Sequence, residues 1–335
     1  YESGFFVRAD YVTIDGFQIQ DTSGYNAMGI DFEGSYNAFV NNVIHNIHPT
    51  SNGGGIYCLD YDGGSDYNTV QHNVIYDVLE ADGIVVGAAT LSAFNAGNNI
   101  SNNVITLSAD STWHCGIDIV NGIGFDISGN TINTTATTST NRCGILISSW
   151  NTLFQGCHDI RDNTIYGKGF YTGVEVIADT NVVNTYGLPS VASVTIENLN
   201  IHDNTLHDFT YNGIDLYPVP NAGTASICNS WVRDNKIYGN GYHGIYVRTG
   251  SDSNMIEGND IHSNSGDGIK LAGDNDIING NDVHDNAVGI EVIAGTGIKI
   301  HFNNFHDNAN YGVKNVNLPR VDAVNNWWGD ASGPT

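Results

Sequence analysis

Apolar and polar residues alternate along the whole chain in short runs rich in Ile and Val, and each run is bounded by Gly, Asn or Asp. Period-two alternation of β-branched residues predicts strands, and the bounding residues predict tight turns between them. Two signatures mark the pattern. Gly followed by Ile or Val occurs at Gly29, Gly55, Gly83, Gly116, Gly144, Gly173, Gly213, Gly244, Gly268, Gly289 and Gly312, and Asn-x-Ile or a close variant at Asn42, Asn73, Asn103, Asn130, Asn163, Asn204, Asn235, Asn259, Asn281, Asn303 and Asn325. The two alternate, and the last marks fall 22 residues apart. A unit of that length cannot bury its own apolar face and must stack on copies of itself. Three short strands with turns fill one unit, so the pattern predicts an all-β chain wound as a single parallel β-helix of about eleven coils, with residues 1–335 as one domain and rungs about 4.8 Å apart. Equivalent positions then form columns. Ile30, Ile56, Ile84, Ile117, Ile145, Val174, Ile214, Ile245, Ile269, Ile290 and Val313 predict one inward aliphatic column, and the repeated Asn residues predict an amide ladder.

Composition narrows the class. Asn, Gly and Asp make up a third of the chain while hydrophobic residues hold at 40%, which excludes both disorder and long helices. No run of about 20 apolar residues is present, so no membrane-spanning helix is expected. With 11 basic against 36 acidic residues the net charge is −25, and a nucleic acid finds no basic stripe. An anionic polymer would be repelled unless salt, local Arg and Lys, or Ca²⁺ inverts the field. The five cysteines lack zinc-type spacing, so buried thiols with at most one or two disulfides are expected, and Cys115 and Cys143 fall at equivalent positions of adjacent coils. The Asp-rich stretch "LDYDGGSDYN" at Leu59 to Asn68 reads as a turn or a loose Ca²⁺ loop. The first residues contain neither an initiator Met nor an apolar signal, which predicts a domain excised from a longer secreted or surface protein.

The stretches "YVTIDGFQI" from Tyr11, "NDIHSNSGDGIKL", "NDVHDNAVGIEV" and "NNWWGDASGP" resemble the right-handed β-helix repeats of the pectin-lyase-like superfamily. That resemblance implies a right-handed coil and an extracellular or cell-surface protein acting on polysaccharide. The acidic, Asn-rich character is also similar to the catalytic region of methanogen disaggregatases, which implies a uronate- and galactosamine-containing polymer as partner. "YNGIDL" from Tyr211 and "YHGI" from Tyr242 faintly resemble polygalacturonase marks, but the paired D-D and the R-I-K motifs of that family are missing. "NNWWGDASGPT" is expected to close the C-terminal end, with Trp327 and Trp328 over the last aliphatic layer.

Insertions point to the site. The segment from each Gly mark to the next Asn mark is 13 residues at its shortest, but it lengthens in the coils that start at Gly55, Gly83, Gly144, Gly173 and Gly213, reaching 31 residues between Gly173 and Asn204. Long loops leaving one edge at neighbouring levels predict a wall, deepest at "ADTNVVNTYGLPSVAS". Beside it the outward residue after each Gly-Ile mark forms a floor: Asp31, Tyr57, Val85, Asp118, Leu146, Glu175, Asp215, Tyr246, Lys270, Glu291 and Lys314. Glu175 and Asp215 fall on adjacent coils and predict a coupled carboxylate pair for glycoside hydrolysis. Elimination would instead use His243 or Tyr246 as base, with Arg248 and Lys270, or Ca²⁺ on Asp267 and Glu291, holding the uronate carboxylate. Asp118, Tyr217, Arg248, Asp267 and Glu291 are the expected substrate contacts, and hydrolysis is the favoured chemistry. A noncatalytic surface-layer or carbohydrate-binding module would use the same face without chemistry, and a homo-oligomer is compatible with either use. The histidines after the Asn mark, His45, His207, His262, His284 and His306, interchange with Tyr76, Tyr166 and Tyr238, which predicts an exterior stacking column.

Overall fold

A computed structural model describes residues 3–51, 53–60, 63–91, 93–108, 113–151, 155–180, 190–221, 223–316 and 319–329. All strand pairings between neighbouring coils are parallel, no helix occurs among the described residues, and the chain winds as a single right-handed parallel β-helix. Each coil contributes one strand to each of three long sheets. Sheet I has twelve strands, from Ser3–Arg8 to Tyr311–Asn315, and carries the Gly-Ile marks; sheets II and III, which follow in chain order, have eleven each. Among the described residues no helix is long and apolar enough to cross a membrane.

The register follows the marks. Ile30, Ile56, Ile84, Ile117, Ile145, Val174, Ile214, Ile245, Ile269 and Ile290 pair in one inward column, and all are fully buried in one continuous core. The preceding glycine is required by a close approach. At Gly83 a Cβ would lie 2.6 Å from both the carbonyl oxygen of Gly116 and Ile105 Cγ2, so any side chain would push two coils and two sheets apart.

The corners are held by polar ladders. Asn130 Nδ2 donates to Asn163 Oδ1 at 2.9 Å, and Asn163 Nδ2 donates to Asn204 Oδ1 at 3.0 Å and to the carbonyl of Ile127 at 2.8 Å. This ladder runs from Asn42 to Asn303 and ends on Asn326, which accepts from the Asn303 backbone at 2.9 Å. Asn325, the expected last member, is instead the exposed turn residue before it, with φ 60°. Two further ladders flank this one, at Asn37–Asn68–Asn98 and at Asn240–Asn264–Asn286–Asn308.

Several lengthened coils add a fourth, short sheet of six strands between sheets I and II, from Asn95–Ala96 to Ser251–Asp252. Part of the inserted length in the coils from Gly83, Gly144, Gly173 and Gly213 therefore pairs as a short sheet where loops were expected, and the coils from Gly116 and Gly244 join it with little extra length. The expected deepest part of the loop wall, residues 181–189, lies outside the described residues, as do residues 61 and 62 of the Asp-rich stretch and residues 330–335 of the closing segment. At the C-terminal end Trp328 stacks on Phe305, with ring centroids 5.2 Å apart. Trp327 does not share that role: it is half exposed, and its backbone extends sheet III beside Asn304. The exterior ring column forms as expected, with Tyr166, His207, Tyr238, His262, His284 and His306 stacked face to face at 4.6–5.4 Å.

Candidate functional site on the outer face of sheet I

Strand alternation places every second residue of sheet I outward, and the floor column pairs in register from Asp31 to Lys314. Five of the 11 Lys and Arg residues, Arg8, Arg142, Arg248, Lys270 and Lys314, lie on this face. Each meets a carboxylate. Arg8 bonds Asp31 at 3.2 Å and Glu33 at 3.0 Å. Arg142 Nε donates to Glu175 Oε2 at 2.8 Å.

Glu175 and Asp215 are in register on adjacent strands, as expected, but they do not share a proton as a free pair. Arg248 donates to both oxygens of Asp215 at 2.8 Å, and Asn212 Nδ2 adds a third bond at 2.9 Å. Asp215 is thereby the anchor of Arg248, whose guanidinium lies 4.0 Å from the Tyr217 ring centre and 4.5 Å from that of Tyr246. Glu175 faces Arg142. Burial lifts its carboxyl above the ordinary range, against the pull of that guanidinium.

The residues expected for elimination also come together, in altered roles. His243 Nδ1 accepts the Asp267 backbone N–H at 3.0 Å, so the neutral ring carries its proton on Nε2 and offers a donor rather than a base. Burial and nearby Lys270 push its pKa down to about 4. Asp267 is lifted to about 6 by burial and by Glu291. Lys270 Nζ lies 3.1 Å from Glu291 and 3.7 Å from Asp267, and Lys314 Nζ lies 2.6 Å from Glu291. A Ca²⁺ ion on Asp267 and Glu291 would have to displace an ammonium group already there.

A pocket of about 280 Å³ is lined among others by Asp118, Arg142, Trp150, Asp179 and Tyr217. Asp118 keeps part of its surface open to this pocket, but its Oδ1 is buried with no hydrogen-bond partner. Burial first, and neighbouring Asp82 second, push its carboxyl up to about 8, with Arg142 opposing. Asp118 therefore favours its protonated form more than an ordinary carboxyl does. Sequence reasoning placed Asp118 on the floor but missed Arg142, Trp150 and Asp179. Arg142 was detectable, because it sits on the outward parity of its strand just before a Gly mark. Cys115 and Cys143 stack nearby, with sulfurs 3.0 Å apart, and all five cysteines are free thiols.

No curated protein matches the chain in sequence. Among solved structures it is similar to the A-module of mannuronan C-5 epimerase AlgE6 from Azotobacter vinelandii, at TM-score 0.65 and 17% identity over 96% of this chain and 83% of that one. It is similar also to the periplasmic alginate epimerase AlgG, at TM-score 0.63 and 13% identity over 97% and 76%. The Dettilon tailspike protein gives TM-score 0.55 and 14% identity over 93% and 61%. At these identities the likeness is one of fold. The family model for a right-handed β-helix region matches residues 153–327, more than half of the sequence, and the chain belongs to that right-handed β-helix family.

Proposed function

We propose that the outer face of sheet I binds a uronate-containing polysaccharide and cleaves its glycosidic bonds by hydrolysis, with Asp118 as general acid and Glu175 as general base. The observation that carries this reading is a difference in degree between two carboxyls that burial raises: Asp118 goes up to about 8 with its Oδ1 unpartnered, while the Arg142 guanidinium bonds Glu175 and opposes its rise. Two carboxyls whose surroundings push their proton affinities apart are what acid–base cleavage uses. They lie two rungs apart on one column, about 9.5 Å between backbones at the usual strand spacing. That is compatible with the roughly 6.5–9.5 Å between carboxyls that leaves room for a water. Asp118 would pass its proton to the glycosidic oxygen as that bond breaks, and Glu175 would take a proton from the water attacking the anomeric carbon. The cations along the face supply contacts for substrate carboxylates, and Tyr217 and Trp150 supply apolar surface for sugar rings. Two of the similar folds are named for uronate polymers, mannuronan and alginate, which favours that substrate class.

Elimination is the second reading, favoured by Tyr246, whose ring lies beside Arg248 and 6.0 Å from Lys270 Nζ. Incubation with uronate- and galactosamine-containing polysaccharides separates the readings. Hydrolysis produces new reducing ends without the ultraviolet absorbance of an unsaturated uronate; elimination produces both. Retained binding with no shortening of any such polymer would make this a binding module and overturn the hydrolase assignment.

A further inference from the structure

We propose that Asp282, His284 and His306, on the outer face of sheet III, form a binding site for a first-row divalent cation of the zinc type that staples two adjacent coils. The site is remote in the fold from the outer face of sheet I and independent of what that face does. Asp282 and His284 lie on one strand and His306 on the next, in the registers Asp282 with Asn304 and His284 with His306. One ligand atom from each of the three side chains lies within 4.8 Å of the other two, the one such set among the described residues. All three are partly exposed, so an ion can enter from solvent.

The ring orientations leave an Nε2 of each histidine for a cation. His284 Nδ1 lies 2.8 Å from Asp285 Oδ2, and His306 Nδ1 lies 2.8 Å from Asp307 Oδ2. A carboxylate only accepts, so in each ring Nδ1 carries hydrogen and the neutral ring presents the Nε2 lone pair. His306 Nε2 nevertheless faces Asp282 Oδ1 at 3.1 Å, and His284 Nε2 faces Asp260 Oδ1 at 3.3 Å. Such a contact is satisfied by a positive charge between the two atoms, which either a second ring proton or a metal ion supplies. The 3.1 Å gap suits the edge of a coordination shell whose bonds are about 2.0–2.2 Å. Asp285 and Asp307 then act as the outer carboxylates that orient metal-binding imidazoles and raise their basicity. Asn304 Nδ2 fixes the Asp282 oxygen at 2.8 Å. The two rings are stacked 4.6 Å apart and nearly parallel, so His284 must turn away from Asp260 to share the ion. Two imidazoles and one carboxylate select zinc, cobalt or nickel over calcium or magnesium.

The test is calorimetric titration of the chelator-stripped 335-residue chain with ZnCl₂ at mildly alkaline pH, repeated with Co²⁺ read by visible absorption. One equivalent should bind, raise the thermal midpoint, and resist competition by excess Ca²⁺. His306→Gln should abolish the Co²⁺ spectrum, and Asp307→Asn, which keeps the side-chain shape, should weaken binding about 10–100-fold. Wild-type chain that binds no Zn²⁺, full displacement by Ca²⁺, or His306→Gln and Asp307→Asn variants that fold and bind like wild type would each overturn the site.

Discussion

At the residue scale, Asp118 and its neighbours illustrate how a floor residue becomes chemistry. The column that contains it could be read from alternation after each Gly mark, and the structure keeps that register throughout. Which cation meets which carboxylate could not be read, because Arg142 reaches Glu175 from the neighbouring strand and Arg248 takes Asp215. Those pairings depend on side-chain reach across rungs, which a period-two pattern does not encode. Asp118→Asn should lower polymer cleavage roughly 10²–10⁴-fold while leaving the circular dichroism spectrum unchanged, and wild-type activity should fall as pH rises through about 8, where Asp118 ionises. Stability offers a second readout of the same group. Its carboxyl is raised in the folded state, so between about 4 and 8 the unfolded chain is ionised while the folded chain still holds the proton. Wild type then loses stability relative to Asp118→Asn by at most about 1.4 kcal/mol per pH unit across that window, with no further loss above it. A pH-independent difference in urea midpoint between the two proteins would show that Asp118 is ionised throughout.

At the element scale, the turn is the unit that the sequence encodes most densely. Each ladder residue is preceded by a left-handed one: Asn41, His72, Asn102, Gly129, Asp162, Asp203, Asp234, Gly258, Gly280 and Phe302 all have φ between 55° and 67°. Asn, Asp and Gly tolerate that conformation, which explains their abundance better than surface polarity does. The ladders repeat at five-residue offsets, as in Asn37 and Asn42, Asn68 and Asn73, or Asn259 and Asn264. That signal was present in the chain, and only one of the three ladders was recognised from it. The short sheet had no such repeating signal: of its six strands only Gly122–Ile123 carries a Gly-Ile pair, and the near-minimal coils from Gly116 and Gly244 contribute strands without a long insertion. Asn163→Ala removes the acceptor of Asn130 and the donor to Ile127 and Asn204, so it should cost about 3–5 kcal/mol in denaturant unfolding. Phe302 is the contrary case, a bulky exposed residue with φ 57°. Phe302→Asn should raise stability by up to about 1 kcal/mol, and a loss instead would mean that its edge contact with His301 outweighs the strain.

At the scale of the whole molecule, charge and repetition set the behaviour. A net charge of −25 repels a polyuronate at long range, while the cations of sheet I act only on contact. Added salt screens the first more than the second, so the association rate for a polyuronate should rise as the Debye length shrinks from about 10 Å at 0.1 M toward 3 Å at 1 M. A neutral glucan should show no such rise, and a polyuronate rate that falls steeply with salt would mean that the basic side chains project a field of their own. Acidity, the coil and its single solenoid were legible in the sequence because they are summed over many residues. The C-terminal end was legible only in part, since it is built once: Trp328 caps Phe305 as expected, but Trp327 does not. Sheets II and III are partly covered beyond their last strands by the bridges Lys299–Asp322 and Asn304–Trp327, while sheet I ends on Tyr311–Asn315 with no further strand among the described residues. That last rung offers the same row of backbone donors and acceptors that every earlier rung offered to its successor. A further strand, from this chain or from another, would find there a template already in register. What hinders such pairing is local: the Lys314 ammonium on the outward face, the Trp328 ring laid over Phe305 and, for another chain, the mutual repulsion of two strongly acidic bodies. The repeat itself contains no instruction to stop, so what closes the last described rung of sheet I is its own side chains and not the pattern.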